Sequence, residues 1–248
     1  MTGGLGEALL AACMFLVAAL YTTVGHAGAS GYLALMGLSG VEPAVMRPTA
    51  LVLNIVVSSF TVWRFWRASL FRWRVLWPFL IGAIPMGFVG GAIVLPSHLY
   101  RPAVGIILFI AAARFLWPRL FPASPEVRDP PILPAIACGA CIGLLSGLTG
   151  TGGGIFLSPL LLVMGWSEVR IASGASALFI WCVSIAGLLG NFSSVRALPS
   201  ELPLYVSVVL AGAVVGTTLG TGRLGTSGVL KALGLVLIVA GFKLVGFY

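Results

Sequence analysis

Eight apolar runs, each long enough to cross a bilayer, constrain this chain more than any other feature. They lie at roughly 5–24, 44–63, 75–95, 99–117, 132–148, 171–190, 202–221 and 227–247. A helix of about 20 apolar residues crosses a hydrocarbon core about 30 Å thick. The alternating ten-residue segments of a membrane barrel are absent. Composition closes the soluble alternatives. Charged residues make up 8% of the 248, against about 25% in soluble domains. An apolar fraction of 59% also excludes a disordered chain, which lacks the side chains to form a core. The predicted fold class is an all-α integral membrane protein of about eight transmembrane helices, with the lipid bilayer as its solvent.

The net charge is +8. The arginines stand singly or in short groups between apolar runs, the pattern of membrane-flanking loops, so no nucleic-acid partner is expected. Cytoplasmic loops carry the excess of Lys and Arg. With a cytoplasmic N-terminus and eight crossings, nine cations fall inside (Arg64, Arg67, Arg72, Arg74, Arg114, Arg119, Arg128, Arg196 and Lys243). Five fall outside (Arg47, Arg101, Arg170, Arg223 and Lys231). This arithmetic predicts a multi-pass protein of the plasma (inner) membrane with both termini cytoplasmic. Trp63, Trp66, Trp73 and Trp77 form an interfacial belt around the 64–74 cluster. The four cysteines lie in apolar stretches and read as buried packing residues, Cys138-x-x-Cys141 included.

Two places interrupt the spans. Gly25-His26-Ala27-Gly28-Ala29-Ser30-Gly31 precedes a short apolar piece, Tyr32 to Leu38. Ser146 to Gly154, which contains six glycines and threonines in Gly147, Thr149, Gly150, Thr151, Gly152 and Gly153 before Gly154 itself, precedes another, Ile155 to Met164. These pieces are too short to span and read as half-helices. Gly25, Gly28 and Gly31 lie on Gly147, Gly150 and Gly153; Gly40 then lies on Gly165 and Ala50 on Ala175 after a three-residue insertion. The expected organisation is a first four-helix repeat at 1–121, a cytoplasmic linker at 122–131 and a second four-helix repeat at 132–248. An even number of crossings makes the repeats parallel; a short piece that crosses with its neighbour makes them inverted. Paired glycine-interrupted segments point to a transporter site, and helix N-termini there favour an anion.

The second half, with SGLTGTGGGIFLSPLLLVMGW and ASGASALF, resembles the TauE/SafE family of sulfite and organosulfonate exporters. The first half, AGASGYLALMGLSGVEPAVMRPTALVLN, is similar to one branch of that family. The element G-x-G-G-G-x-x-x-x-P is carried by Gly150, Gly152, Gly153, Gly154 and Pro159. The resemblance implies a secondary transporter of small anions, often sulfur-containing, that uses neither ATP nor a cofactor. Gly28-Ala29-Ser30-Gly31 stands where the family's fuller pattern has a glycine triplet. The pocket there is then either less open or uses Ser30 as a ligand.

The expected substrate-binding set is Gly28, Ser30, Gly31, Arg47, Thr49, Asn54, Gly150, Gly152, Gly153, Gly154, Ser173 and Ser176. Arg47 either clamps the anion or snorkels to head groups. Asn54 either binds substrate or joins helices. His26 is the candidate for proton coupling, with a neutral hydrogen-bonded role as the other reading. No acid lies deep in a span, so proton coupling rests on His26 or on the substrate. An anion channel remains an alternative. An intramembrane enzyme is disfavoured, because the G-x-S-G at Gly37 to Gly40 has no histidine placed as a base. No metal-ligand cluster or nucleotide-binding loop is present. The partners implied are a small anionic substrate and lipid, with a homo-oligomer left open.

Overall fold

The computed structural model describes residues 4–117, 119, 127–221 and 227–246. Among them all regular structure is helical: α1 Gly4–Thr23, α2 Ala29–Leu38, α3 Pro43–Arg67, α4 Trp73–Ala92, α5 Ser97–Leu116, α6 Ile132–Thr149, α7 Gly154–Val163, α8 Val169–Gly190, α9 Leu202–Thr221 and α10 Ser227–Val245. Eight of these run from 18 to 25 residues, and α2 and α7 have ten each. Six are long and apolar enough to cross a membrane by length and composition. The helical membrane fold and the two half-helices follow the sequence expectation. Arg223 and residues 122–126 of the expected linker lie outside the described residues.

Glycine sets where the half-helices begin. Gly28 caps α2 and Gly153 caps α7, both in the left-handed region at φ 99° and 78°, where an ordinary L side chain costs about 1 kcal/mol or more. Gly25, Gly28 and Gly40 in one half and Gly150, Gly153 and Gly165 in the other all have positive φ, and each pair is 125 positions apart. The sequence register is therefore corrected. Gly25 corresponds to Gly150 and not to Gly147, and no insertion is needed before Gly40 and Gly165. Sliding the two clusters by three residues puts Gly31 on Phe156 in place of Gly153 but brings Gly40 onto Gly165 with no insertion, so identity leaves both offsets open; backbone conformation removes that freedom.

The two ends of the bundle are defined by their contacts. At one end, a cleft of about 940 Å³ is lined by Glu7 of α1, Ser39 and Gly40 after α2, Glu42 and Val45 around the start of α3, and Glu201 before α9. Lys243 Nζ, near the end of α10, donates to Leu38 O there at 2.7 Å. At the other end, Arg72 and Arg74 lie 3.6 and 3.8 Å from Asp129, and Arg128 N–H donates to Gly165 O at 2.7 Å. So α1 and α2 form a hairpin that starts and finishes at the cleft end. α6 and α7 form a second hairpin that starts and finishes at the arginine end. Helices α3 to α5 and α8 to α10 traverse the bundle between them, and the two halves run in opposite senses.

That hairpin corrects the charge count. The start of α1 shares an end with Arg47 and lies opposite Arg64 to Arg74, because α2 returns where one crossing was expected. With Arg223 set aside, nine cations lie toward the arginine end (Arg64, Arg67, Arg72, Arg74, Arg114, Arg119, Arg128, Arg170 and Lys231). Four lie toward the cleft end (Arg47, Arg101, Arg196 and Lys243). The start of α1 and the end of α10 lie at the end opposite the 64–74 cluster.

Packing crosses the midpoint of the chain. α4 lies along α6 at backbone distance: a Cβ at Gly82 would collide with Ile136 O, and one at Gly143 with Ala83 O. α1 lies along α9 in the same way, with Gly212 against Phe15 O and Gly216 against Ala19 O. Small residues permit such approach where lipid gives helices no hydrophobic reason to associate. One apolar cluster joins α4, α6, α7 and α8, around Phe79, Leu157 and Phe179. The other joins mainly α1, α2, α3, α5, α9 and α10, around Tyr32, Leu53 and Leu108. Trp63, Trp66 and Trp73 are exposed, and Arg67 stands 5.3 Å over the Trp63 ring, as an interfacial belt requires. Cys141 is exposed on the outer surface and does not pack in the interior.

Candidate functional site

The half-helices meet N-terminus to N-terminus in the middle of the bundle. Between them is a small cavity of about 10 Å³, lined by Tyr21, His26, Ala27, Gly28, Ala29, Ser30, Asn54, Thr151, Gly154, Ile155 and Ile180. Each helix start leaves backbone N–H groups without intrahelical partners. Each also presents the positive end of its dipole, about half a charge. Helix ends facing one another across a cavity make an anion site without a buried cation.

Polar side chains tie the two half-helices to the surrounding helices. His26 Nε2 lies 3.0 Å from Gly154 O and 2.8 Å from Ser158 Oγ. A carbonyl only accepts, so Nε2 carries a hydrogen. Ser158 Oγ continues to Ser176 Oγ at 2.8 Å. On the other side Tyr21 Oη meets Ser30 Oγ at 2.7 Å, and Tyr32 Oη donates to Ala27 O at 2.7 Å. Asn54, fully buried, donates from Nδ2 to Ser184 Oγ at 3.3 Å, and its Oδ1 has no hydrogen-bond partner among the described residues. A buried polar atom left unsatisfied costs about 1–3 kcal/mol, so this oxygen marks a position where something must pay for it.

The expected residues divide. Gly28, Ser30, Asn54, Gly154 and His26 line the cavity together. Gly152 and Gly153 stand behind it, where a Cβ would come 2.5 Å from Asn54 Nδ2 and 2.6 Å from Ser146 Oγ respectively. Gly150 ends α6 in the left-handed region and sits against Arg47 O, 3.1 Å from a built Cβ. Ser176 reaches the site through Ser158. Four candidates are not brought to the cavity. Gly31 is a packing glycine, tight against Val17. Thr49 returns its hydroxyl to Val45 O at 2.7 Å, and Ser173 to Val169 O at 3.1 Å, as hydroxyls in apolar helices do. Arg47 is buried and donates from Nη1 to Ile93 O at 2.8 Å and from Nη2 to Gly90 O at 2.9 Å and to Gly91 O. It caps the C-terminal end of α4, where a cation suits the dipole.

Tyr21, Thr151, Ser158 and Ser184 were not singled out from sequence. Ser158 carried a usable signal, lying one turn beyond Gly154 on the short piece and next to Pro159. Tyr21, within an ordinary apolar span, carried none.

Fold and site together define a multi-pass helical membrane protein with a polar cavity at the meeting point of two broken helices, the construction of a membrane transporter. The chain belongs to the TauE/SafE sulfite exporter family, whose model matches residues 10–244. A probable membrane transporter protein of Sinorhizobium fredii is 37% identical over 238 residues, covering 95% of this chain and 96% of its own. A probable membrane transporter protein of Methanocaldococcus jannaschii is 28% identical over 158 residues, covering 62% of this chain and 58% of its own. No solved structure matches.

Proposed function

We propose that this chain exports a small sulfur-containing oxyanion, sulfite or an organosulfonate, across the plasma membrane as a secondary transporter. The observation that carries the reading is the meeting of the α2 and α7 N-termini at a cavity lined by Asn54, whose buried Oδ1 is unsatisfied among the described residues. Family membership supports the substrate class. Gly28, Ser30, Asn54, Thr151 and Gly154 bind the anion, with backbone N–H groups of the two helix starts as the main donors. Proton coupling resides in His26 or in the substrate.

The chain is built from two inverted repeats, 1–121 and 132–248, joined by the 122–131 linker. Alternating access moves the body around α4, α6 and α8 against the body around α1, α5 and α9, so each moving body contains helices from both repeats. The excess of cations supports a cytoplasmic arginine end, with the cleft, the start of α1 and the end of α10 outside. A cavity of about 10 Å³ holds about one water and is too small for a sulfur oxyanion. The walls must therefore part for substrate, which supports a carrier over an open channel.

Purified protein in liposomes loaded with sulfite or methanesulfonate, under an imposed proton gradient, tests this. Saturable efflux above protein-free vesicles is expected. Absence of flux for every small oxyanion overturns the reading, and unitary currents in a planar bilayer replace the carrier with a channel.

A further inference from the structure

The charge balance of the cavity limits what it can hold. Its titratable lining residues are Tyr21 and His26, and among the described residues neither a carboxylate nor a cation lines it. Arg47, on the same helix as Asn54, directs both terminal nitrogens to carbonyls at the end of α4. Glu7, Glu42 and Glu201 line the separate cleft at the end of the bundle. Positive potential in the cavity therefore comes from the starts of α2 and α7, each equivalent to about half a charge. Together they balance about one negative charge. A dianion would keep a second, uncompensated charge in a buried site, which is strongly unfavourable.

Asn54 adds a second constraint. It is fully buried, its Nδ2 donates to Ser184 Oγ, and its Oδ1 has no partner among the described residues. A carbonyl oxygen only accepts. It repels the oxygens of a fully deprotonated anion and receives a hydrogen from an anion that still carries one.

Resting on the transport reading above, we propose that the site selects a singly charged small oxyanion bearing one ionisable hydrogen, which it donates to Asn54 Oδ1. Among sulfur oxyanions this is hydrogen sulfite and not the sulfite dianion. The proton then crosses on the substrate: it makes a hydrogen bond to Asn54 Oδ1, and its covalent bond to the anion is neither made nor broken during passage. His26, which donates from Nε2 to Gly154 O, is a positioning residue that holds the start of α7 against α1.

The test uses proteoliposomes of the full chain, with efflux measured above protein-free vesicles. The probes are sulfite across a series of internal pH values, methanesulfonate (one charge, no ionisable hydrogen) and sulfate (two charges). Sulfite efflux is expected to follow the hydrogen sulfite fraction, falling about tenfold per pH unit on the alkaline side. Sulfate is expected to stay at background, and methanesulfonate to run slower than hydrogen sulfite. Asn54→Leu should lower sulfite efflux about tenfold relative to methanesulfonate efflux, and the methanesulfonate flux shows that the variant is folded. The wild-type anion series decides the matter even if that variant fails to fold. His26→Gln, which keeps a donor for Gly154 O, should slow efflux and keep its pH dependence. The proposal is overturned by sulfate efflux equal to that of sulfite, by sulfite efflux that tracks the dianion, or by loss of the pH dependence in His26→Gln. No efflux of any of the three anions overturns the transport reading, and this proposal with it.

Discussion

Arg47 spends its charge on a helix end. Its guanidinium is buried and meets three carbonyls at the end of α4, so Arg47→Ala leaves those groups unpaired in the interior. A loss of about 3 kcal/mol is expected, read as a lower melting temperature in detergent. Arg47→Lys should recover only part of it, because one ammonium cannot reproduce the planar fork. Unchanged melting with a raised KM for the anion would return Arg47 to the substrate. Ser158 is the opposite case, a residue whose main effect is on the site. Ser158→Ala removes the link from His26 to Ser176, costs about 1 kcal/mol, and should slow efflux several-fold in protein that expresses normally. Efflux at the wild-type rate would remove Ser158 from the site.

At the scale of elements, the glycines have two separable functions. Gly143 of α6 and Gly216 of α9 set how closely helix axes approach, since a Cβ at either would strike a carbonyl of the neighbouring helix. Gly143→Val and Gly216→Val should each destabilise by more than the about 1–3 kcal/mol of ordinary overpacking and give little monodisperse protein on gel filtration. Gly40 also has positive φ, yet nothing lies within 4 Å of a Cβ there, so Gly40→Ala should cost only about 1 kcal/mol and purify well. Equal behaviour of the three variants would contradict the distinction. The half-helices were legible because glycine runs and Pro159 interrupt otherwise continuous apolar sequence. Their register was not, because an offset of 122 matches three cluster glycines, while an offset of 125 matches two of them and Gly40 with Gly165. Asn54 was visible as a lone amide among apolar residues. The role of Arg47 was not, because its partners are backbone carbonyls more than 40 positions away and carbonyls leave no trace in sequence.

For the whole molecule, the direction in which α2 runs decides the topology. Counting α1 as a simple crossing put the termini with Arg64 to Arg74. The α1–α2 hairpin puts the start of α1 at the other end; with Arg223 set aside the count is nine against four either way, and Arg170 and Lys231 exchange sides with Arg196 and Lys243. In a background without Cys13, Cys138, Cys141 and Cys182, Ser39→Cys should react with an impermeant thiol reagent on intact cells, and Arg67→Cys only after permeabilisation. The reverse pattern would invert the orientation; equal access to both would contradict the hairpin.

In the proposed mode of transport the anion sits between the starts of α2 and α7, beside Asn54. Calorimetric titration of sulfite into purified wild-type protein and into Asn54→Asp tests it most directly. A carboxylate about 4 Å from a bound anion repels it by about 4 kcal/mol at an effective dielectric constant near 20, or about a thousandfold in affinity. Saturable binding to the wild type is expected, and none detectable to a folded Asn54→Asp protein. Undiminished binding to Asn54→Asp would contradict it.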